Sequence, residues 1–412
     1  NMSLDIPYIR VGTAYFKIIE KPLISGDKVK VMVRWTRETI VSDHGKSYLE
    51  NVLKLDGFCC IPDHLNYQPI VENFFNTYNE LNMKPIEEDF NLNELEQLIP
   101  NSLHFVKHIF GSEQYEYGLD YLKLLYEKPT QTLPILCLVS KERATGKSSF
   151  IKWLKNIFGL NMTYIKGDSF GSQFNADWAS MLLVAIDEVF FDKKEITERL
   201  KYLSTTDKDK VEAKGKDRQE IEFFAKFILC SNNEDDFIQI DEEEIRFWIR
   251  KIKPIESEDV HFIKKLTSEV PYFIKYLLLR PYYTTQQTRM WFTPKQILTA
   301  SLLKLISKNK IEISLLELLN LCFEKVAEDE ICVAPNDLLL LLRKTNPKLI
   351  ISASEIRKIL KKWDFEPQNN TKSYQGIELL SHGEFVKIER RGRYYIIKKD
   401  LFYKIFDAMM QE

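Results

Sequence analysis

Residues 133–159 read LPILCLV, then SKERATG, then KSSFIKWLKNIFG: an apolar run, a short polar loop and a helical pattern. No other stretch constrains the fold as tightly. A near-continuous apolar strand belongs in a sheet covered on both faces. Phe150, Ile151, Leu154, Ile157 and Phe158 then form a helical stripe, and Gly159 is placed to stop it. Between strand and helix lies Gly-Lys-Ser. In this context Gly146 allows the backbone to wrap a phosphate, and the helix N-terminus offers free N–H groups to it. Lys147 would reach the β and γ phosphates and Ser148 would ligate Mg²⁺, with Thr145 and Ser149 completing the nucleotide-binding loop. The full pattern is G-x-x-x-x-G-K-[ST], and Lys141 stands where its first glycine belongs. Gly-Lys-Ser alone is a weak signal, and the alternative is a chance tripeptide before a helix. The strand–loop–helix context strengthens the nucleotide reading.

Three later elements strengthen it further. MLLVAIDEV (181–189) is an apolar strand ending in adjacent carboxylates, suited to a Mg²⁺-coordinating Asp187 and a water-activating Glu188. A solvated acidic turn is the plainer alternative. KFILCSN (226–232) is a third strand, ending at Asn232, whose amide could polarise the attacking water; Asn233 is a close rival. Arg246, in EEEIRFWIRKI, is placed to act as an arginine finger, with Arg250 as the alternative and a salt bridge to the acidic run as the ordinary reading. Together these four elements describe an ATP site using Mg²⁺.

Gly-Lys-Ser, a strand ending Asp-Glu, a basic turn and a strand ending Ser-Asn, in that order, resemble superfamily 3 helicases. The resemblance is to the helicase part of phage and plasmid primase-helicases, in which the loop SKER-x-TGKS is itself familiar, and it covers residues 95 to 255. It implies an AAA+-like P-loop core, ATP hydrolysis at subunit interfaces, and a ring, usually hexameric, moving along single-stranded DNA, typically 3′ to 5′. It also implies a DNA-following hairpin between the Asp-Glu and Ser-Asn strands. That interval reads LKYLSTTDKDKVEAKGKDRQEIEFFAKF, and the matching positions are Lys214, Gly215 and Lys216, with Lys208, Lys210 and Arg218 nearby. Asp207, Asp209, Glu212 and Asp217 offset much of that charge, so the residues alone fit a solvated loop about as well. Related sequences often carry adjacent arginines after the Ser-Asn strand, whereas here Arg246 and Arg250 are spaced.

The flanks are read from pattern. YIRVGTAYFKII and KVKVMVRW alternate around a turn-like SGD, a small β module with a hairpin, and residues 1–93 form this module and a linker. Residues 94–130 are a helical segment preceding the core, and 131–283 are the ATPase core, an α/β fold. TTQQT (284–288) is the candidate linker to a helical and winged-helix domain over 284–412. There, APNDLLLLLRKTNPKL reads as a helix halted at Asn346-Pro347, and SASEIRKILKKWDF as a basic helix with a Ser352/Glu355 capping box. HGEFVKIERRGRYYIIKKDLF alternates like a hairpin with Arg391-Gly392-Arg393 at its tip, so Arg390, Arg391 and Arg393 are candidate DNA contacts. A protein-docking winged helix is the alternative.

A net charge of −2 excludes a uniformly basic DNA-coating protein and confines nucleic-acid contact to local patches. No apolar run is long enough to span a membrane, and the opening NMSLDIPYIRVG lacks a signal-peptide layout. Six scattered cysteines suggest a reducing cytoplasm; the resemblance implies that of a bacterial host carrying a phage or mobile element. CCIPDH (59–64) has no second ligand pair at zinc spacing. The expected function is an ATP-dependent, ring-forming DNA helicase acting on single-stranded and fork DNA. A P-loop ATPase that remodels proteins on DNA, or a nucleotide-switched DNA-binding regulator, is the alternative. No primase constellation occurs in the first 95 residues, so priming would belong to an upstream domain or a partner.

Overall fold

The structure is a computed structural model describing residues 7–22, 28–170, 178–189, 191, 194–211, 219–234, 237–238, 240, 244, 246–255, 259–346, 349, 351–380 and 382–410. The chain divides into two units: residues 1–239 with 245–302, and residues 303–412 with 240–244.

Strands β1 (Tyr8–Val11), β2 (Ala14–Pro22) and β3 (Lys28–Trp35) run antiparallel, with Gly12 at φ 57° turning the first corner. Helix α1 (Arg37–His44) leads to β4 (Leu53–Leu55), which adds in parallel beside β1. The module is thus a four-stranded sheet, order β3-β2-β1-β4, where alternation suggested a hairpin. The SGD turn lies outside the described residues. Strands β5 (Gly57–Cys59), β6 (Ile70–Val71) and β7 (Phe74–Asn76) form a second small sheet. Beside it, His64 is locked in place, with Nδ1 against the Tyr126 carbonyl at 2.7 Å and Nε2 against the Tyr78 hydroxyl at 2.7 Å. Burial pushes its pKa down to about 4, so the ring is neutral and belongs to the core.

Helix α2 (Leu92–Leu98) is capped by Asn91 and Glu94 in a reciprocal box, and α3 (Pro100–Glu127) follows. Gly111, at φ 71°, breaks α3 where Arg250 approaches: an added Cβ would lie 2.4 Å from its Nη2.

The centre of this unit is built from β8 (Ile135–Val139), α4 (Lys147–Phe158), β9 (Met162–Lys166), α5 (Gly167–Phe170), β10 (Leu183–Asp187) and α6 (Lys194–Leu203). It continues through β11 (Lys208–Val211), β12 (Gln219–Glu222), β13 (Lys226–Ser231), β14 (Phe247–Lys251), α7 (Phe262–Leu279) and α8 (Pro294–Ile297). Strands β8, β9, β10, β13 and β14 form one parallel sheet, order β14-β8-β13-β10-β9. Every residue of β8 and β13 is buried, as expected for strands covered on both faces. Trp153 from α4 and Trp248 from β14 are fully buried against Phe105, Phe110 and Phe150. The fold is mixed α/β around this sheet.

Sequence pattern does not mark the fifth strand, β9. It is an edge strand that alternates buried and exposed residues over only five positions, and it carries no long apolar run.

The TTQQT stretch is not a free linker. Asp120, fully buried on α3, needs several donors, and Thr284 supplies two of them, its N–H at 2.7 Å and its hydroxyl at 2.6 Å. Arg280 Nη1 adds a third at 2.6 Å, and Trp291 Nε1 donates to the Thr284 hydroxyl at 2.8 Å.

Helix α9 (Ala300–Val326) runs into the second unit, followed by β15 (Glu330–Val333), α10 (Pro335–Thr345) and α11 (Ala353–Lys362). Strands β16 (Lys372–Leu379), β17 (Phe385–Gly392) and β18 (Tyr395–Lys398) and helix α12 (Lys399–Met410) complete the chain. The Ser352/Glu355 capping box forms, with both reciprocal bonds present. The closing hairpin differs from its sequence reading. Strand β17 pairs with β16, not β18, and turns at Leu380–Glu384 with Gly383 at φ 89°. Strand β18 crosses to β15. Arg391, Gly392 and Arg393 are therefore not a hairpin tip; they lie where the chain leaves one ribbon for the other, at the end opposite the turn.

Candidate functional site

In a parallel sheet every strand delivers its next loop to the same edge, and ligands favour the point where neighbouring strands lead their connections apart. Strand β8 is such a point, flanked by β13 and β14. Backbone bonds tie the strand ends together there: Ser140 N–H to the Ser231 carbonyl at 3.2 Å, Val189 N–H to Cys230 at 3.0 Å, and Ile252 N–H to Val139 at 2.9 Å. The loop after β8, the Asp187-Glu188 pair after β10 and Asn232 after β13 thus share one edge.

Loop 140–146 bends sharply. Ala144 has φ 53°, and Gly146 has φ 86° as the N-cap of α4. A side chain at 146 would be strained and would press on Phe105 at 3.1 Å and Ile255 at 3.2 Å. This is the glycine the motif requires. At the position of the pattern's first glycine, Lys141 is held by its backbone: its N–H donates to Glu234 Oε1 at 2.9 Å. Glu234 is itself buried and accepts from Lys251 Nζ at 2.8 Å. On the other flank, His108 Nε2 meets the Thr145 carbonyl at 3.0 Å, and Ile255 N–H donates to the Ala144 carbonyl at 2.9 Å.

Lys147 is buried and points back into the loop. Its Nζ donates to the Ser140 carbonyl at 3.0 Å and to Asn232 Oδ1 at 3.1 Å. Burial lowers its pKa, while Asp187 and Glu234 act in the opposite direction. Ser148 is exposed and Ser149 half-buried on the first turn of α4, and Thr145 is buried. Asp187 and Glu188 are both exposed, and Asp187 Oδ1 accepts the Glu188 N–H at 2.9 Å. Glu188 has φ 53°, a left-handed conformation that a non-glycine residue adopts at a cost of about 1–3 kcal/mol. Such strain persists only where its surroundings hold it.

The two candidate arginines separate by geometry. Arg246 precedes β14, and its carbonyl accepts Ile135 N–H at 2.8 Å, at the start of β8. It therefore lies at the opposite edge of the sheet from the loop, about 17 Å away along a five-residue strand. Arg250 is buried, donating to Gln114 Oε1 at 2.7 Å, to Glu113 Oε1 at 3.1 Å and to the Ile109 carbonyl at 3.4 Å. It is committed within its own chain. Arg250→Ala should destabilise this unit by about 2–3 kcal/mol through its lost partners, Gln114 above all, because exposed Glu113 adds little. Calorimetry would register this as a lower Tm.

Strands β11 and β12 pair antiparallel, in the register Lys208↔Glu222 to Val211↔Gln219. Lys214, Gly215, Lys216 and Arg218 fall between them, outside the described residues. In the second unit, Arg390 is engaged rather than open, with Nη1 on Asp337 at 2.6 Å and Nη2 on Glu378 at 3.1 Å. Arg391 and Arg393 are exposed. Sequence reasoning missed Glu234, Lys251 and His108. Only the fold brings them to the loop, and no local spacing marks them.

Among the described residues, no helix is long and apolar enough to cross a membrane. No curated protein matches the chain. The family described as "Family of unknown function (DUF5906)" matches residues 138–250, from the end of β8 into β14. The solved apo structure of the NrS-1 C terminal region (305–718) is similar at a TM-score of 0.54 and 15% identity, covering 95% of each chain. An A form of that region is similar at a TM-score of 0.53 and 16% identity, covering 92% of this chain and 95% of that one. A further A form gives a TM-score of 0.52 at 14% identity over 95% and 96%. At these identities the chain shares a fold with the NrS-1 C terminal region.

Proposed function

We propose that the protein is a Mg²⁺-dependent ATPase of the superfamily 3 helicase type, the motor of a phage- or plasmid-type replication system working in a bacterial cytoplasm. The observation that carries this reading is the link between Lys147 and Asn232 at the edge where Asp187 and Glu188 end their strand. Any buried ammonium needs acceptors; what supports this reading is that those of Lys147 lie on the loop after β8 and at the end of β13, the edge that Asp187 and Glu188 share.

In this reading the first unit is an AAA+-like P-loop core. Thr145, Gly146, Ser148 and Ser149 hold the phosphates together with the free N–H groups at the start of α4. Lys147 shifts from Asn232 to the β and γ phosphates, which frees the Asn232 amide to orient water. Ser148 and Asp187 would hold a Mg²⁺ ion, which would neutralise phosphate charge. Glu188 takes the proton of the attacking water. By family resemblance, Lys214 and Lys216 would follow single-stranded DNA inside a ring, usually a hexamer, and the second unit is a winged helix. A primase would be an upstream domain or a partner.

The test is unwinding of tailed duplexes of both polarities with ATP and Mg²⁺. Wild-type protein should unwind one polarity. Lys147→Ala should lose nucleotide binding and unwinding together. Hydrolysis that depends on Lys147 but never unwinds either substrate would instead favour a remodelling ATPase.

A further inference from the structure

The peptide unit between Ser140 and Lys141 is bonded at both ends. Its carbonyl accepts from Lys147 Nζ at 3.0 Å, and its N–H donates to Glu234 Oε1 at 2.9 Å. A peptide unit is planar, so whatever holds its N–H also limits where its carbonyl can point. Glu234 is only 8% exposed, and a buried carboxylate is costly unless it is paired and hydrogen-bonded. Lys251, exposed at the end of β14, donates to its Oε2 at 2.8 Å and offsets the charge. The other oxygen is the one that reaches the loop.

The segment carrying Glu234 is itself anchored to the site. Ser231 Oγ donates to the Val189 carbonyl at 2.7 Å and accepts from the Asn233 N–H at 3.1 Å. Asn232 Oδ1 accepts from Lys147 at 3.1 Å. On the loop side, Ser140 Oγ accepts from the Glu142 N–H at 3.1 Å, which sets the turn around this peptide. Both acceptors of Lys147 are thus held from the end of β13. Asn232 supplies one directly, and Glu234 steadies the other at one remove.

We infer that Glu234 is a positioning residue for Lys147, acting through the Ser140–Lys141 peptide. It keeps the Ser140 carbonyl turned toward the lysine, so the ammonium stays inside the loop. The inference rests on the ATPase reading for what Lys147 then does. In that reading an arriving phosphate meets a lysine already in place, and little ordering is left to binding. Without Glu234 the peptide can turn, and the nucleotide must supply that order itself. The loss therefore falls on nucleotide binding more than on turnover.

Two measurements on the full chain test this, one without nucleotide and one with it. Without nucleotide, trace acetylation read by mass spectrometry reports the accessibility of Lys147 against exposed Lys54. Glu234→Ala and Glu234→Met should each speed Lys147 labelling about tenfold or more. Glu234→Gln should stay within about threefold of wild type, because its amide oxygen still accepts the Lys141 N–H. With nucleotide, the Ala and Met variants should raise KM for ATP about tenfold while kcat changes far less. A role in stability alone would lower Tm and the active fraction, hence kcat, and leave KM where it was. Unchanged Lys147 labelling, or a fall in kcat at constant KM, would sink the inference. So would a Gln variant as defective as the Ala variant. Should neither deletion variant fold, amide exchange in the wild-type protein decides. The Lys141 amide should exchange about tenfold or more slowly than an open loop amide, and a fast one would overturn the inference. Wild-type protein that hydrolyses no ATP, while Glu234→Ala still releases Lys147 to labelling, would remove the ATPase reading and leave the hold on Lys147 standing.

Discussion

Arg246→Ala is expected to lower ATP turnover by about three orders of magnitude while leaving nucleotide affinity largely intact. A finger stabilises charge that develops on the γ-phosphate during transfer, so its loss is felt in the transition state and hardly in the ground state. The fold makes a sharper demand. Arg246 stands at the amino edge of the sheet, bonded through its carbonyl to the first residue of β8, while the loop stands at the carboxyl edge. It cannot reach the site of its own chain. Mixing Arg246→Ala with Lys147→Ala, each inactive alone, should therefore restore part of the activity, because some interfaces pair a sound loop with a sound arginine. Sedimentation under the same conditions should show assembly that depends on concentration or DNA. If subunits exchange and no activity returns, the trans assignment is wrong. A fully active monomer would remove the ring.

Glu188→Gln should retain ATP binding and lose hydrolysis by about two or more orders of magnitude. The amide keeps the size and polarity of the side chain but cannot accept the proton of the attacking water. The left-handed backbone at Glu188 predicts a second difference. Glu188→Gly removes the strain as well as the carboxylate, so it should raise the Tm slightly while abolishing turnover. Calorimetry beside a phosphate-release assay checks both. Near-normal turnover in Glu188→Gln would overturn the role of this residue.

Much of the candidate site is legible in short stretches of sequence. The Gly-Lys-Ser tripeptide, the strand ending Asp187-Glu188 and the strand ending Asn232 are local signals, and a parallel sheet necessarily brings strand ends to one edge. What replaces the missing first glycine is not legible in this way. At that place Lys141 donates its N–H to Glu234, far along the chain, and Glu234 is in turn bonded by Lys251 from another strand. Such a clamp has no sequence period.

Where two readings had equal local support, tertiary structure separated them. Arg246 and Arg250 lie four residues apart, beside and within one strand, and both follow the Asn232 strand. Burial against α3 commits Arg250 to Gln114 and Glu113, whereas strand direction sends Arg246 to the opposite edge. The C-terminal arginines behave alike. Alternation predicted strands over the closing residues and they formed, but alternation specifies faces and not partners. Pairing of β17 with β16, and of β18 with β15, moved Arg391 and Arg393 away from the turn and placed them beside Arg357.

By itself the sequence determined where four of the five strands of the parallel sheet lie, where the glycine that opens α4 falls, and which carboxylates follow a buried strand. Each depends on residues within a few positions of one another, through periodicity, capping and the freedom of glycine at positive φ. Only the tertiary structure decided which arginines remain open, what replaces the first glycine, and which strands share a ribbon. Those outcomes depend on contacts that no local pattern specifies, such as Lys141 with Glu234, Arg250 with Glu113 and β15 with β18, and such contacts exist only in the folded chain.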